Sequence, residues 1–187
     1  AHTWFIAVDG SGDAPTIQAG VDAASFGDTV LVGPGTYANP NILVTKDIVL
    51  TSRDGASVTH LTGSSTAITA NNLGASALIR GFDIALPDIG GFGCVDDAFT
   101  ASRAHAVPPP ACIHLENSSC EVSSNTVHGG YSGIRAGGAP PTIIDNTISK
   151  CALGIELTGT HALVSGNRVW DCAVCISSYQ GAPIISD

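Results

Sequence analysis

From residue 120 onward, short apolar runs alternate with clusters of Ser, Asn, Gly and Pro, and the alternation keeps a fixed period. Val122, Ile143 and Val164 are spaced by 21 residues, as are Val127, Ile148 and Val169, and then Ile134, Ile155 and Ile176. Asn125, Asn146 and Asn167 form a fourth column at the same interval. Each repeat holds three short β-type segments and is too short for a pair of helices, so the pattern predicts a solenoid of strands. Equivalent residues then stack ~4.8 Å apart, the distance between neighbouring strands. The aliphatic columns point inward as a linear core. The Asn column marks a corner, where Asn tolerates a left-handed backbone and its amide bonds to the Asn above and below. Asn125, Asn146 and Asn167 are therefore read as a structural ladder rather than as catalytic groups.

The period extends backwards through Val58 and Ile79, again 21 apart, and "IRGFDI" (79–84) aligns with "VSGNRV" (164–169), which puts Phe82 in the Asn slot. From Ile79 to Val122 is 43 residues, one period plus 22, so one turn carries an insertion within 85–112. That insertion is Gly- and Pro-rich and aperiodic, and loops of such length are usually functional. Ahead of the repeats, "FIAV" and "TVLV" read as strands. Between them Asp13 is an expected N-cap before Pro15, and Ile17, Val21 and Ala24 form one face of a short helix. Such a helix would cover the open end of the core.

Composition narrows the class of partner. The chain is 44% hydrophobic and 12% charged, which excludes a disordered polyelectrolyte. No apolar run reaches the ~18 residues of a membrane span, so no membrane insertion is expected. A net charge of -9 disfavours nucleic acid. The start "AHTWF" and the lack of Met fit a mature chain freed of a signal peptide, and six cysteines fit an oxidising compartment. The expected location is secreted, extracellular or on the cell surface.

"DGSGDAPTIQAGVDAASFGDTVLVGPGTY" resembles the opening of right-handed parallel β-helix repeat proteins of the pectin lyase-like superfamily, and "IIDNTISKCALGIEL" and "VSGNRVWDCAVCIS" resemble their repeat. The resemblance implies an all-β, right-handed parallel β-helix of ~21-residue turns with a short N-terminal capping helix. One domain over 1–187 is expected, with 1–37 as strand and helix cap, 85–112 as long loop insertion and 113–187 as the most regular repeats. The superfamily spans lyases, hydrolases, epimerases, phage tail proteins and non-catalytic surface proteins, so it does not by itself imply an activity.

Stacking predicts that His114, Arg135, Glu156 and Ser177 point outward from successive turns of one sheet. Polysaccharide-active relatives carry catalytic groups on such a stripe, so His114, Arg135 and Glu156 are the candidate catalytic residues. Solvated cross-strand pairing is the commoner use of such charges. Asp96 and Asp97 form a D-D pair inside the insertion and complete the candidate set. "NTV" and "NTI" stand where related polygalacturonases carry N-T-D but lack the acid, and His128-Gly129 is two-thirds of their G-H-G. Glycoside hydrolysis needs two carboxyls ~5–9.5 Å apart, and no such pair shares a face. A lyase's Ca²⁺ cluster would need more acids than Glu156, so neither cofactor nor metal is expected. Cys151 and Cys172, 21 apart, are stacked candidates for a disulfide. Cys94 and Cys112 bracket most of the insertion as a second candidate pair, with Cys94–Cys120 as its competitor.

The resulting expectation is a non-catalytic, secreted structural β-helix that self-associates, with head-to-tail stacking into an extracellular filament as the form proposed. The alternatives are a polysaccharide lyase or glycoside hydrolase acting on an acidic polysaccharide, or a carbohydrate-binding or adhesive module of a larger surface protein. The partners expected are a second copy of the chain and, for the alternatives, polysaccharide.

Overall fold

The structure, a computed structural model, describes residues 1–88 and 109–186. The chain visits three parallel sheets in turn and then returns to the first. The first sheet runs β1 (Thr3–Ile6), β2 (Thr29–Val32), β5 (Val49–Ser52), β8 (Leu78–Arg80), β11 (Glu121–Ser123), β14 (Thr142–Ile144), β17 (Leu163–Ser165) and β20 (Ile184–Ser186). The second holds β3 (Gly35–Ala38), β6 (Thr59–Thr62), β9 (Asp83–Ala85), β12 (Thr126–His128), β15 (Thr147–Ser149) and β18 (Arg168–Trp170). The third holds β4 (Ile42–Val44), β7 (Ile68–Asn71), β10 (Ala111–Glu116), β13 (Ser132–Gly137), β16 (Leu153–Thr158) and β19 (Val174–Tyr179). Apart from β1, which pairs with β2 across α1, every strand pairs with strands one turn away and not with its chain neighbour, which makes the molecule a parallel β-helix.

The core is a set of stacked columns. In the first sheet Val30, Leu50, Ile79, Val122, Ile143 and Val164 lie in register, all nearly or wholly buried. Leu61, Ile84, Val127 and Ile148 do the same in the second sheet. The third contributes Ile42, Ile68, Ile113, Ile134 and Ile155. Alternation along each strand sends the intervening residues outward.

Two sequence expectations fail in the early turns. The column neighbour of Ile79 is Leu50, 29 residues earlier, and not Val58, which lies half-exposed before β6. Turn length varies there because the corners absorb extra residues, so a fixed period slips out of register. The capping helix α1 (Ile17–Ala23) begins at Thr16, whose side chain accepts from the Ala19 N–H at 3.1 Å. Asp13 is not its N-cap; the carboxylate instead accepts from the Phe5 N–H at 2.7 Å. Ile17, Gly20 and Val21 are the buried face, and a Cβ on Gly20 would come within 2.6 Å of Ile6 Cδ1, so the helix sits flush on the core. β9 ends at Ala85 and β10 starts at Ala111, while residues 89–108, including Cys94, Asp96 and Asp97, lie outside the described residues.

The corner between the first and second sheets holds the Asn ladder. Asn146 Oδ1 accepts from the backbone N–H and Nδ2 of Asn125 at 3.0 and 3.1 Å, and Asn167 Oδ1 accepts the same pair from Asn146 at 3.0 and 2.9 Å. Asn125 Oδ1 in turn accepts from the Phe82 N–H at 3.0 Å, so the ladder ends on a buried Phe in the Asn slot. The left-handed residue at each corner is the one before the Asn: Ser124, Asp145 and Gly166 have φ of 54°, 53° and 62°. The Asn residues themselves serve the corner through their amides. Asn146→Ala orphans the buried N–H of Asn125 and the carbonyl of Val122, and should lower stability by about 1–3 kcal/mol. Urea unfolding will show it as a lower midpoint at unchanged slope, with a smaller effect for the less buried Asn167→Ala.

Candidate functional site

On the outer face of the third sheet the register sets Thr69, His114, Arg135, Glu156 and Ser177 side by side. Glu156 Oε2 accepts from Arg135 Nε and from Ser132 Oγ, both at 2.6 Å. Arg135 Nη2 donates to Ser132 Oγ at 3.0 Å, and its Nη1 donates to the Pro109 carbonyl at 2.9 Å. Ser132 reaches the cluster because Gly133 turns inward: a Cβ there would come within 2.6 Å of the Gly154 carbonyl and 2.7 Å of Ile148 Cγ2. The Arg135 and Glu156 side chains are each 12% exposed. They are spent on one another and on the chain where it returns from the insertion. Desolvation, and then the charge of Arg135, hold the His114 pKa below its ordinary value of 6.5. The stripe is therefore an internally satisfied clasp around the base of the insertion. The candidates Asp96 and Asp97 lie outside the described residues.

Among the described residues the expected Cys151–Cys172 disulfide is not formed, and Cys94, expected to pair with Cys112 or Cys120, lies outside them. Cys112, Cys120, Cys151, Cys172 and Cys175 are free thiols. Cys151 and Cys172 do lie on neighbouring rungs, flanked by hydrogen bonds from Lys150 N–H to Asp171 and from Ala173 N–H to the Cys151 carbonyl. Their sulfurs make other contacts as well: Cys151 Sγ sits 3.2 Å from the carbonyls of Gly129 and Ser149, and Cys172 Sγ 3.4 Å from that of Trp170. Cys112, expected to bridge to Cys94, is a core residue 3.5 Å from the Gly129 carbonyl. Burial pushes the thiols of Cys112 and Cys120 up to about 12, whereas a hydrogen bond from Cys151 lowers that of Cys172 to about 7.

A second constellation lies on the outer face of the second sheet. His60 Nδ1 is 2.7 Å from Asp83 Oδ2, and His128 Nε2 is 3.1 Å from Asp83 Oδ1. An ionised carboxylate only accepts, so both contacting ring nitrogens carry protons and each ring keeps its other nitrogen for solvent or a ligand. The imidazoles are 37% and 38% exposed and the Asp83 side chain 20%. His60 lies directly opposite Asp83, and Thr36, Thr126, Thr147 and Arg168 continue the column. His128, Ser149 and Trp170 form the column beside it, with Trp170 46% exposed.

Tracing the period could not find this row, because His60 and Asp83 sit 23 residues apart across turns of irregular length. His128 stood out only as part of an incomplete motif. Strand alternation was the usable signal, since it places Asp83 and His128 on the outward side of their strands. Among the described residues no three His, Cys, Asp or Glu side chains gather as a metal-binding set.

Residues 99–187 match the family model described as right handed beta helix region. The whole fold matches a crystal structure of a pectin methylesterase mutant in complex with a hexasaccharide, with a TM-score of 0.61 and 13% sequence identity. The chain is a right-handed β-helix of the pectin lyase-like fold. The match covers 98% of this β-helix and 66% of that chain, so the β-helix spans just under two-thirds of its structural relative. No curated protein matches the β-helix in sequence.

The thiols of the β-helix differ enough to be told apart chemically. Iodoacetamide at about pH 8 should label the exposed Cys175 and the half-buried, acidified Cys172 in the folded chain, because the thiolate is the nucleophile. Cys112, Cys120 and Cys151 should react only after unfolding, as peptide mass mapping will read.

Proposed function

We propose that this β-helix acts on a uronate-containing polysaccharide laid along the outer face of its second sheet, with His60, Asp83 and His128 as the acid–base centre. The observation that carries the reading is the single carboxylate of Asp83 holding two half-exposed imidazoles on one open face. The shared fold with a protein crystallised on a hexasaccharide supports it. So does the rest of the face, where the hydroxyls of Thr126 and Thr147 lead to Arg168 and Trp170. Sugar hydroxyls pair with the first two, a uronate carboxylate with the guanidinium, and the apolar face of a sugar ring with the indole.

The chemistry of the row favours elimination over hydrolysis. Hydrolysis of a glycosidic bond uses two carboxyl groups, and here there is one. Two imidazoles supply a base and an acid instead. Neutral His60, oriented through Nδ1, takes the C5 proton of a uronate at Nε2. The C–H electron pair becomes a C4=C5 double bond, the C4–O4 bond breaks, and protonated His128 delivers its proton to O4. Asp83 orients both rings and balances the positive one, the part an Asp plays toward His in a hydrolytic triad. Solvent then returns each ring to its starting state. At the reacting ring a methyl-esterified uronate is the preferred form, because it sets no charge against a chain of net charge -9 and its C5–H is the more acidic, while the carboxylate that meets Arg168 belongs to an unesterified residue further along the polysaccharide.

The filament expected from sequence gains no support from either comparison, whereas its alternative, action on polysaccharide, does. Esterified polygalacturonate should yield unsaturated ends, read by ultraviolet absorbance. His60→Ala and His128→Ala should each lower the rate by about 10²–10⁴-fold with unchanged circular dichroism. Trp170→Ala should weaken oligosaccharide binding about tenfold, read by isothermal titration calorimetry. Binding without unsaturated product would reduce the protein to a carbohydrate-binding module, and the absence of both would remove the reading.

A further inference from the structure

Each sheet presents its first strand to the N-terminal end of the coil, and an exposed strand edge carries unpaired N–H and C=O groups. In a parallel ladder alternate residues bond to opposite neighbours, so which groups remain is a matter of register. At β1 the outward residues are Thr3 and Phe5, and Asp13 takes both groups of Phe5: its carboxylate accepts the Phe5 N–H at 2.7 Å, and its own N–H donates to the Phe5 carbonyl at 2.7 Å. At β4 they are those of Leu43. The Gln18 amide on α1 accepts the Leu43 N–H at 2.7 Å and donates to the Leu43 carbonyl at 3.3 Å. Phe5 of β1 and Leu43 of β4 are thus each closed by groups that imitate a neighbouring strand.

The third edge is not closed. Gly35 and Asn39 donate to the Val58 and Thr62 carbonyls of the next turn, so β3 turns its even-numbered residues, Thr36 and Ala38, outward. No described group bonds their backbone. Against this edge lies a groove of about 300 Å³, lined by the apolar Val8, Pro15 and Ile17 and the polar Thr16, Gln18 and Asn39, and floored by β3. None of its lining residues is charged.

We infer that this groove is a docking site for an extended, uncharged peptide segment that adds to β3 as a parallel strand. The backbone groups of Thr36 and Ala38 alternate at the two-residue spacing that an extended peptide presents and a sugar chain does not. The uncharged lining, part aliphatic and part amide and hydroxyl, matches a segment without charge.

The test uses the full chain and a blocked Val-Thr-Val-Thr peptide. In the free protein the Thr36 and Ala38 amides should exchange rapidly with deuterium. Saturating peptide should slow both at least tenfold while leaving the Tyr37 amide, already in the ladder, unchanged. Ala38→Pro removes an outward N–H without touching the bonds to β6, a place edge strands accept proline, and should weaken binding at least tenfold. The same peptide N-methylated at alternate residues should fail on the unaltered protein, which keeps the result independent of any folding defect. Thr36 and Ala38 amides already protected in the free chain would overturn the proposal. So would equal binding of the N-methylated peptide, or protection by an oligogalacturonide but not by peptide.

Discussion

No strand of this coil finds a partner strand within its own turn, so every strand-to-strand hydrogen bond must go to the turn before or after it. Side-chain columns follow from that constraint. Once Val122 lies on Ile143 and Ile143 on Val164, the residues between them are stacked too, whatever their chemistry. A one-residue slip in any turn would exchange its inward and outward sets, and the aliphatic columns forbid it. The Asn ladder strengthens the same register at one corner, since its amides bond rung to rung at 2.9–3.1 Å.

Columns bring distant residues together without any loop to hold them. His60, Asp83 and His128 come from three turns and meet because their strands are neighbours. Arg135 and Glu156 meet for the same reason on another sheet, yet the chemistry left to them differs. Arg135 is closed in by Glu156, Ser132 and the carbonyl of Pro109, and a guanidinium with its donors committed has little left for a ligand. Asp83 has two oxygens and gives one to each imidazole, so each ring is oriented and still has a free nitrogen. Equal stacking thus yields a closed clasp on one face and an open His–Asp–His row on the other.

The regular part of the fold was legible in the sequence because the turns from Val122 to Ile176 have constant length and repeat the same inward residues. The early turns were not, because corners can lengthen without disturbing the ladder: 20 residues separate Val30 from Leu50, and 29 separate Leu50 from Ile79. His60 and Asp83 fall in those turns, which hid the second row. The stripe of His114, Arg135 and Glu156 lies in the regular turns and was visible, but its internal pairing also draws on Ser132, from a neighbouring column between Ala111 and Leu153, and on Pro109, which lies in no strand. Cys151 and Cys172 show a related limit, since spacing stacks two residues but does not decide whether their sulfurs join or turn to nearby carbonyls.

Tolerance at the corners also explains how a long insertion can coexist with an ordered outer face. The chain leaves the second sheet just after Ala85 and rejoins the third at Ala111, yet Ile84 still pairs with Val127 and Ile113 with Ile68. The clasp on Pro109 fixes the returning end of the insertion to the third sheet, while Asp83, two residues before the departing end, belongs to the His–Asp–His row. Extra chain enters and leaves at the corner between those two faces without moving either. Loop variation at that corner can therefore change what approaches the row while the stacked strands keep its three side chains in place.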